Sequence, residues 1–276
     1  MLTPRVHNGI SRRFLPPNRR GRDFILGDLH GQYRALWSLL RAVEFAPKRD
    51  RLFSVGDLID RGPDSSRCLR LLNRSGFYSV LGNHDVAFVV NIASGRGVDA
   101  ATRHVCAMVG EQAGQWYMDH DRRDLLPLAI KLNRRPHIIT VGDKKPAFHI
   151  VHASLIPFAR EKPIFLSNAG LGLYETSPDP ETLVFSLTGE RRLWSGVFSQ
   201  RVEGLASVYC GHSVVSRPRW SLGHLNLDTG AGLHDTSTEE RQLTIACHQT
   251  KEIWSVVVSQ PQKIVRYFIP KSRRVR

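Results

Sequence analysis

The chain has 276 residues, 41% of them apolar, enough to bury a core in one large domain or two small ones. No apolar run approaches the ~20 residues of a membrane span, and residues 1–22 hold no apolar stretch long enough for a secretory signal. The net charge of +14 sits mostly at the two ends, so a basic surface spread over the whole fold is not expected.

Residues 1–22 carry Arg5, Arg12, Arg13, Arg19, Arg20 and Arg22 with no acid, and residues 262–276 carry Lys263, Arg266, Lys271, Arg273, Arg274 and Arg276 with no acid. Residues 1–22 are read as a basic, disordered tail and residues 270–276 as a second basic tail, with one domain over residues 23–269. Such tails suit contact with nucleic acid or an anionic surface, or simply keep the chain soluble. Pro4, Gly9, Pro16, Pro17 and Gly21 work against an amphipathic transit helix in the first tail. Cys68, Cys106, Cys210 and Cys247 show no CxxC spacing. They read as reduced thiols in a cytoplasmic protein.

From residue 23 onward a pattern repeats: a short apolar run, a polar motif, an amphipathic helix. Asp23–Leu26 reads as a strand ending at Gly27-Asp28-Leu29-His30-Gly31. Tyr33–Phe45 follows as a helix with Leu36, Leu39, Leu40 and Val43 on one face. Arg51–Val55 is a second strand, ending at Gly56-Asp57-Leu58-Ile59-Asp60-Arg61-Gly62, and Ser65–Arg74 is a second helix. Phe77–Leu81 is a third strand, ending at Gly82-Asn83-His84-Asp85. This β-α-β-α-β unit requires parallel strands and an α/β fold.

Residues 86–145 read as mostly helical. Ala147–Val151 is a strand ending at His152, and Ser207–Cys210 one ending at Gly211-His212-Ser213. Residues 156–195 between them read as loop-rich. Ile253–Val258 and Ile264–Ile269 read as a final strand pair, with Pro261-Gln262 in the turn.

Five strands thus end at groups of metal-binding type, and sites in open α/β sheets form beyond the carboxyl ends of strands. Two Asp, one Asn and three His make an oxygen and nitrogen donor set without thiolate, suited to Mn²⁺, Fe²⁺ or Zn²⁺. A carboxylate with oxygens free on both sides can bridge two ions about 3.5–4 Å apart, which bind phosphate oxygens and hold a hydroxide between them.

The order GDxHG, GDxxDRG, GNHD, HA, GHS resembles the phosphoprotein-phosphatase superfamily of metallophosphoesterases. Leu126-Pro127-Leu128, His152-Ala153, Gly211-His212-Ser213 and Leu227-Asp228-Thr229-Gly230-Ala231 are similar to its bacterial and bacteriophage-lambda-type serine/threonine phosphatases. The resemblance spans about residues 22–258. It implies a central β-sandwich flanked by helices, and two divalent ions, Mn²⁺ foremost. It implies Asp28 and His30 as ligands of one ion, Asn83, His152 and His212 as ligands of the other, and Asp57 as the bridge. It further implies His84 as the acid that protonates the leaving group, Asp60 as the residue orienting His84, and Arg61, with Asn83, as a phosphate contact. The pattern departs at Leu193-Trp194-Ser195-Gly196, where the family has Arg in place of Gly196; Arg191 and Arg192 are the candidates to replace it.

The expected reaction is hydrolysis of phosphomonoesters on protein Ser or Thr, with Tyr and His as further targets, by a metal-bridging hydroxide attacking phosphorus in line. The substrate is then a phosphoprotein or a phosphorylated small molecule. One alternative is a symmetrical dinucleoside-polyphosphate or nucleotide-end hydrolase, a branch that typically has Ala where this chain has Asp60 and Cys where it has Ala231. Another is a weakly active binding or scaffold protein on the same fold, which Gly196 motivates. Asp228 reads as mainly structural, and Trp116, Trp194, Trp220 and Trp254 read as core or rim residues.

Overall fold

The computed structural model describes residues 11–92, 100–109, 114–118, 120–155, 158–159, 162–163, 187, 205–233 and 240–268. In chain order these form β1 (Arg12–Leu15), β2 (Asp23–Leu26), α1 (Tyr33–Ala42), β3 (Arg51–Ser54), α2 (Ser65–Leu69) with a 3-10 turn at Arg70–Asn73, and β4 (Phe77–Ser79). Then come α3 (Asn83–Ile92), α4 (Ala100–Val109), α5 (Gln115–Met118), α6 (Arg122–Asn133), β5 (Ile138–Gly142) and β6 (Pro146–Val151). A two-residue pair, β7 (Phe158–Ala159) and β8 (Lys162–Pro163), precedes β9 (Ser207–Cys210), β10 (Arg219–Ser221), β11 (His224–Asn226), β12 (Gln242–Cys247), β13 (Glu252–Val257) and β14 (Gln260–Phe268).

The larger strands build two six-stranded mixed sheets, ordered β14-β13-β12-β2-β3-β4 and β1-β5-β6-β9-β11-β10. β2, β3 and β4 are parallel, joined by α1 and α2, as the β-α-β-α-β reading requires. Between the sheets lie Ile25, Phe53, Val55, Ile139, Val141, Phe148, Ile150, Tyr209, Leu225 and Leu227. On the other face of the first sheet, Phe24, Leu26, Leu52 and Ile245 meet Leu36, Leu39 and Leu40 of α1. The period-2 alternation of strand side chains explains this division: Phe24 and Leu26 face the helices while Ile25 faces the second sheet. All three are fully buried, and each such side chain contributes about 1.5–3 kcal/mol. The sandwich flanked by helices expected from the sequence is the observed architecture.

Several expectations are corrected. The disorder expected of residues 1–22 does not hold for their second half. Arg12–Leu15 is an edge strand parallel to Ile138–Val141, and Arg22 forms an ion pair with the Asp50 carboxylate at 2.8 Å. Arg12 is held by a 2.8 Å bond from its Nε to Thr140 Oγ1. An Arg-rich strand is tolerable because it lies at a sheet edge, where charge also blocks strand addition. Among the described residues the stretch 86–145 is mostly helical as expected, but its end forms β5, whose Ile-Ile-Thr-Val run is β-branched. Pro261 and Gln262 belong to β14 instead of a turn; they fall where the register with β13 shifts, between Gln260 opposite Val257 and Ile264 opposite Val256, a place that tolerates proline. Residues 1–10 and 269–276, most of 156–195, and Arg191, Arg192, Trp194 and Gly196 lie outside the described residues. Among the described residues no helix is long and apolar enough to cross a membrane.

Candidate metal centre

The site forms where β2, β3, β4, β6 and β9 end. Asp28 and His30 follow β2, Asp57 follows β3, Asn83 opens α3 just after β4, His152 follows β6 and His212 follows β9. The backbone is strained there. His30, Asp57, Asp60, Arg61 and His212 all have positive φ, between 41° and 70°, at about 1–3 kcal/mol for each non-glycine residue. Hydrogen bonds hold the strain in place. The Asp57 carbonyl accepts from Leu29 N at 3.1 Å and from His30 N at 2.8 Å. The Asp85 carboxylate accepts from Leu58 N at 3.1 Å and Gly82 N at 3.0 Å, clamping the second motif to the third. Two glycines are required by close approach. A Cβ at Gly82 would collide with the Asp57 carboxylate, and one at Gly211 with the Asp28 carboxylate.

Asp57 occupies the centre. Its Oδ2 stands 3.5 Å from Nε2 of His30 and 3.5 Å from Nε2 of His152. Its Oδ1 accepts the His84 backbone N–H at 3.0 Å. Among the described residues two groups have candidate ligand atoms within 4.8 Å of one another, His30, Asp57 and His84 in one, Asp28, Asp57 and His152 in the other, and Asp57 is common to both. Asn83 joins the second cluster: its Oδ1 lies 2.8 Å from His152 Nε2 and 3.0 Å from His212 Nδ1.

The donor set suits cations. His30 Nδ1 donates to the Ile59 carbonyl at 2.9 Å, and His152 Nδ1 donates to the Val55 carbonyl at 2.9 Å. Each ring is thereby fixed in the tautomer that turns a bare Nε2 lone pair into the site, the usual arrangement of a metal-binding histidine. His152 Nε2 then faces the Asn83 carbonyl oxygen, one acceptor against another, which a cation between them resolves. Burial lowers His30 and His212 to about 3, and lowers His152 as well, so all three rings are neutral near pH 7. Burial raises Asp28 well above the ordinary carboxylate range, and the nearby Asp228 and Asp57 raise it further. Asp28 Oδ2 accepts the His212 backbone N–H at 3.0 Å, while its buried Oδ1 has no hydrogen-bond partner among the described residues. Burial would raise Asp57 too, but His152, His84, His30 and His212 outweigh it and hold Asp57 low. An orphaned carboxylate oxygen, crowded acids and deprotonated imidazoles together fit divalent ions.

His84 differs from its neighbours. Its Nδ1 bonds Asp60 Oδ2 at 2.7 Å, and Arg61 Nη2 lies 3.3 Å from its Nε2. Both ring nitrogens have partners outside the ligand cluster, although the ring itself packs edge-on against His30, with centroids 4.9 Å apart.

The calcineurin-like phosphoesterase family matches residues 24–229, most of the chain and every residue of the cluster just described. The chain belongs to the calcineurin-like phosphoesterase family. Serine/threonine-protein phosphatase 2 of Escherichia coli K12 is 37% identical over 133 residues, 47% of this chain and 57% of that protein. A symmetrical bis(5'-nucleosyl)-tetraphosphatase of Dechloromonas aromatica is 34% identical over 140 residues, 49% of this chain and 44% of that protein. The match spans about half the length of these curated relatives. Among solved structures, a candidate diadenosine tetraphosphatase superposes with a TM-score of 0.57 at 24% identity, covering 90% of this chain and 97% of the other. A protein serine/threonine phosphatase from Saccharomyces cerevisiae gives 0.51 at 13% identity, covering 97% and 86%. At such identities these two show a common fold and nothing finer.

In this phosphoesterase, all nine residues singled out from the sequence other than Arg191 and Arg192 come together. The sequence reading overlooked three others around the site. Asp85 is the clamp between motifs; its place in the Gly82–Asp85 block was the available signal. Asp228, read as mainly structural, lies close enough to raise Asp28, and is itself raised to about 6 by burial. Trp116, read as core or rim, donates from its indole Nε1 to Asp60 Oδ1 at 2.7 Å. No local pattern announces that contact across 56 residues.

Proposed function

We propose that this phosphoesterase hydrolyses phosphomonoesters, foremost phosphoserine and phosphothreonine of proteins in the reducing cytoplasm, with two Mn²⁺ ions as its native metals. The observation that carries the reading is the 2.7 Å bond between His84 and Asp60 beside a cluster whose two ligand groups share Asp57. Asp28, His30 and Asp57 would hold one ion, and Asp57, Asn83, His152 and His212 the other. When bound, the ions neutralise phosphate charge and make water acidic enough to attack phosphorus.

The remaining work falls to the chain's own side chains. A serine alkoxide is a poor leaving group and needs a proton as the P–O bond breaks. Asp60 holds Nδ1 of His84, so Nε2 is the nitrogen that can deliver this proton. The Arg61 guanidinium lies against that same Nε2. A substrate phosphate offers it a stronger, planar-fork partner, so phosphate arrival would draw Arg61 off His84 and free Nε2 to take up a proton from solvent water and pass it to the leaving oxygen. The free thiols of all four cysteines fit the cytoplasmic placement.

Hydrolysis of symmetrical dinucleoside tetraphosphates is favoured by the relatives of that name. Against it, a nucleoside diphosphate leaves as a much weaker base than an alkoxide and has less use for an acid held by Asp60. Purified, Mn²⁺-loaded protein should therefore show a kcat/KM for a phosphoserine peptide at least about tenfold above that for diadenosine tetraphosphate, a difference of roughly 1.4 kcal/mol at the transition state. Faster hydrolysis of the tetraphosphate would reverse the assignment.

A further inference from the structure

We infer that Trp116 is a positioning residue for the proton-transfer step, its indole N–H fixing Asp60 so that His84 keeps Nδ1 as donor and presents Nε2 to the leaving group. The inference rests on the reading of His84 as the acid.

An indole nitrogen carries a hydrogen and no available lone pair, so it can only donate. Against Asp60 it requires an oxygen that accepts. Oδ1 is taken by Trp116 at 2.7 Å and Oδ2 by His84 Nδ1 at 2.7 Å, while Asp60 N donates to Ser65 Oγ at 3.0 Å. With both oxygens engaged, the carboxylate cannot turn without breaking a charge-assisted bond. The imidazole inherits that fixed orientation.

The indole is held as firmly as the group it holds. It stacks on Phe88, with centroids 5.5 Å apart and planes 23° apart, and meets the Tyr117 ring edge-on at 5.4 Å. The Tyr117 hydroxyl accepts a 2.7 Å bond from Asn91 Nδ2. Phe88 and Asn91 belong to α3, the helix that opens with Asn83 and His84. Phe88 lies one turn beyond His84, so the helix that carries the acid also carries the bracket for its second-layer partner. The closed path His84–Asp60–Trp116–Phe88 returns to its own helix. Packing alone would be met by any aromatic ring at position 116, whereas the N–H aimed at Asp60 would not.

The test uses the Mn²⁺-loaded full chain carrying Trp116→Phe, and a second variant with 3-benzothienylalanine at position 116, which keeps the ring size and removes the N–H. Loss of one charge-assisted bond should lower kcat on a phosphoserine peptide about 10- to 100-fold. The fall on p-nitrophenyl phosphate, whose leaving group needs little protonation, should be several-fold smaller, with KM and metal content unchanged. In a His84→Asn background either replacement should cost less than about twofold more, because the contribution passes through His84. Equal losses on the two substrates, a full loss that persists in the His84→Asn background, or no loss in either variant would each overturn the role. If Trp116→Phe does not fold, the benzothienylalanine protein decides. His84→Asn alone separates the two ideas. Without a leaving-group dependence in His84→Asn the acid reading fails and takes the Trp116 role with it. With that dependence present there and absent in the Trp116 variants, only the Trp116 role fails.

Discussion

Replacing Asp57 by Asn is expected to deprive the enzyme of both ions and of turnover together. Asp57 is the one residue common to the two ligand groups, with its Oδ2 3.5 Å from a histidine of each. Asn keeps the shape and keeps an oxygen to accept the His84 backbone N–H, so the motif loops should stay folded. It loses the negative charge, and it cannot offer anionic oxygen to two cations at once. Loss of even an outer partner of a metal ligand costs roughly 10- to 100-fold in affinity or activity. Loss of a shared inner ligand should exceed the upper end of that range at both positions. Elemental analysis after dialysis, alongside kcat on a phosphoserine peptide, reads both effects. Retention of one tightly held ion would show that the two positions do not depend on Asp57 equally.

Replacing His84 by Asn should have nearly as large an effect on rate and little on metal content. The Nδ1 of His84 bonds Asp60 and its Nε2 faces Arg61, partners that suit an acid better than a ligand. Removal of a general acid typically costs 10²- to 10⁴-fold. The expected fall in kcat on phosphoserine is therefore on the order of 10²-fold or more, and it should shrink sharply on p-nitrophenyl phosphate. Asp57→Asn, in contrast, should depress both substrates alike because it removes the centre itself. If His84→Asn depresses both substrates equally, or empties the site of metal, His84 is a ligand or a scaffold residue and the acid must be sought elsewhere.

The convergence of the candidate ligands was legible in the sequence for a physical reason. Each candidate ligand closely follows an apolar run, so the strand and the group at its end are encoded within a few neighbouring residues. Asp23–Leu26 leads to Asp28, and Ser207–Cys210 leads to His212. What the sequence hid depends on partners far along the chain. Arg12–Leu15 looks like a charged tail until Ile138–Val141 lies beside it. β12 runs from Gln242 to Cys247 and sits between β2 and β13, central to its sheet, although nothing in its own residues says which strands flank it. The Ile138–Gly142 strand carries its own signal, a β-branched run, but sits at the end of a stretch whose other elements are helices. Trp116 is the sharpest case: an indole reads as packing, and only the fold turns its N–H toward Asp60.

If the Asp57 carboxylate organises a two-ion centre, metal counting on fully active wild-type protein will show it. Protein stripped with chelator and titrated with Mn²⁺ should take up two ions per chain, by elemental analysis, with phosphatase activity completed only as the second binds. Full activity at one ion per chain, or with none, would contradict the account.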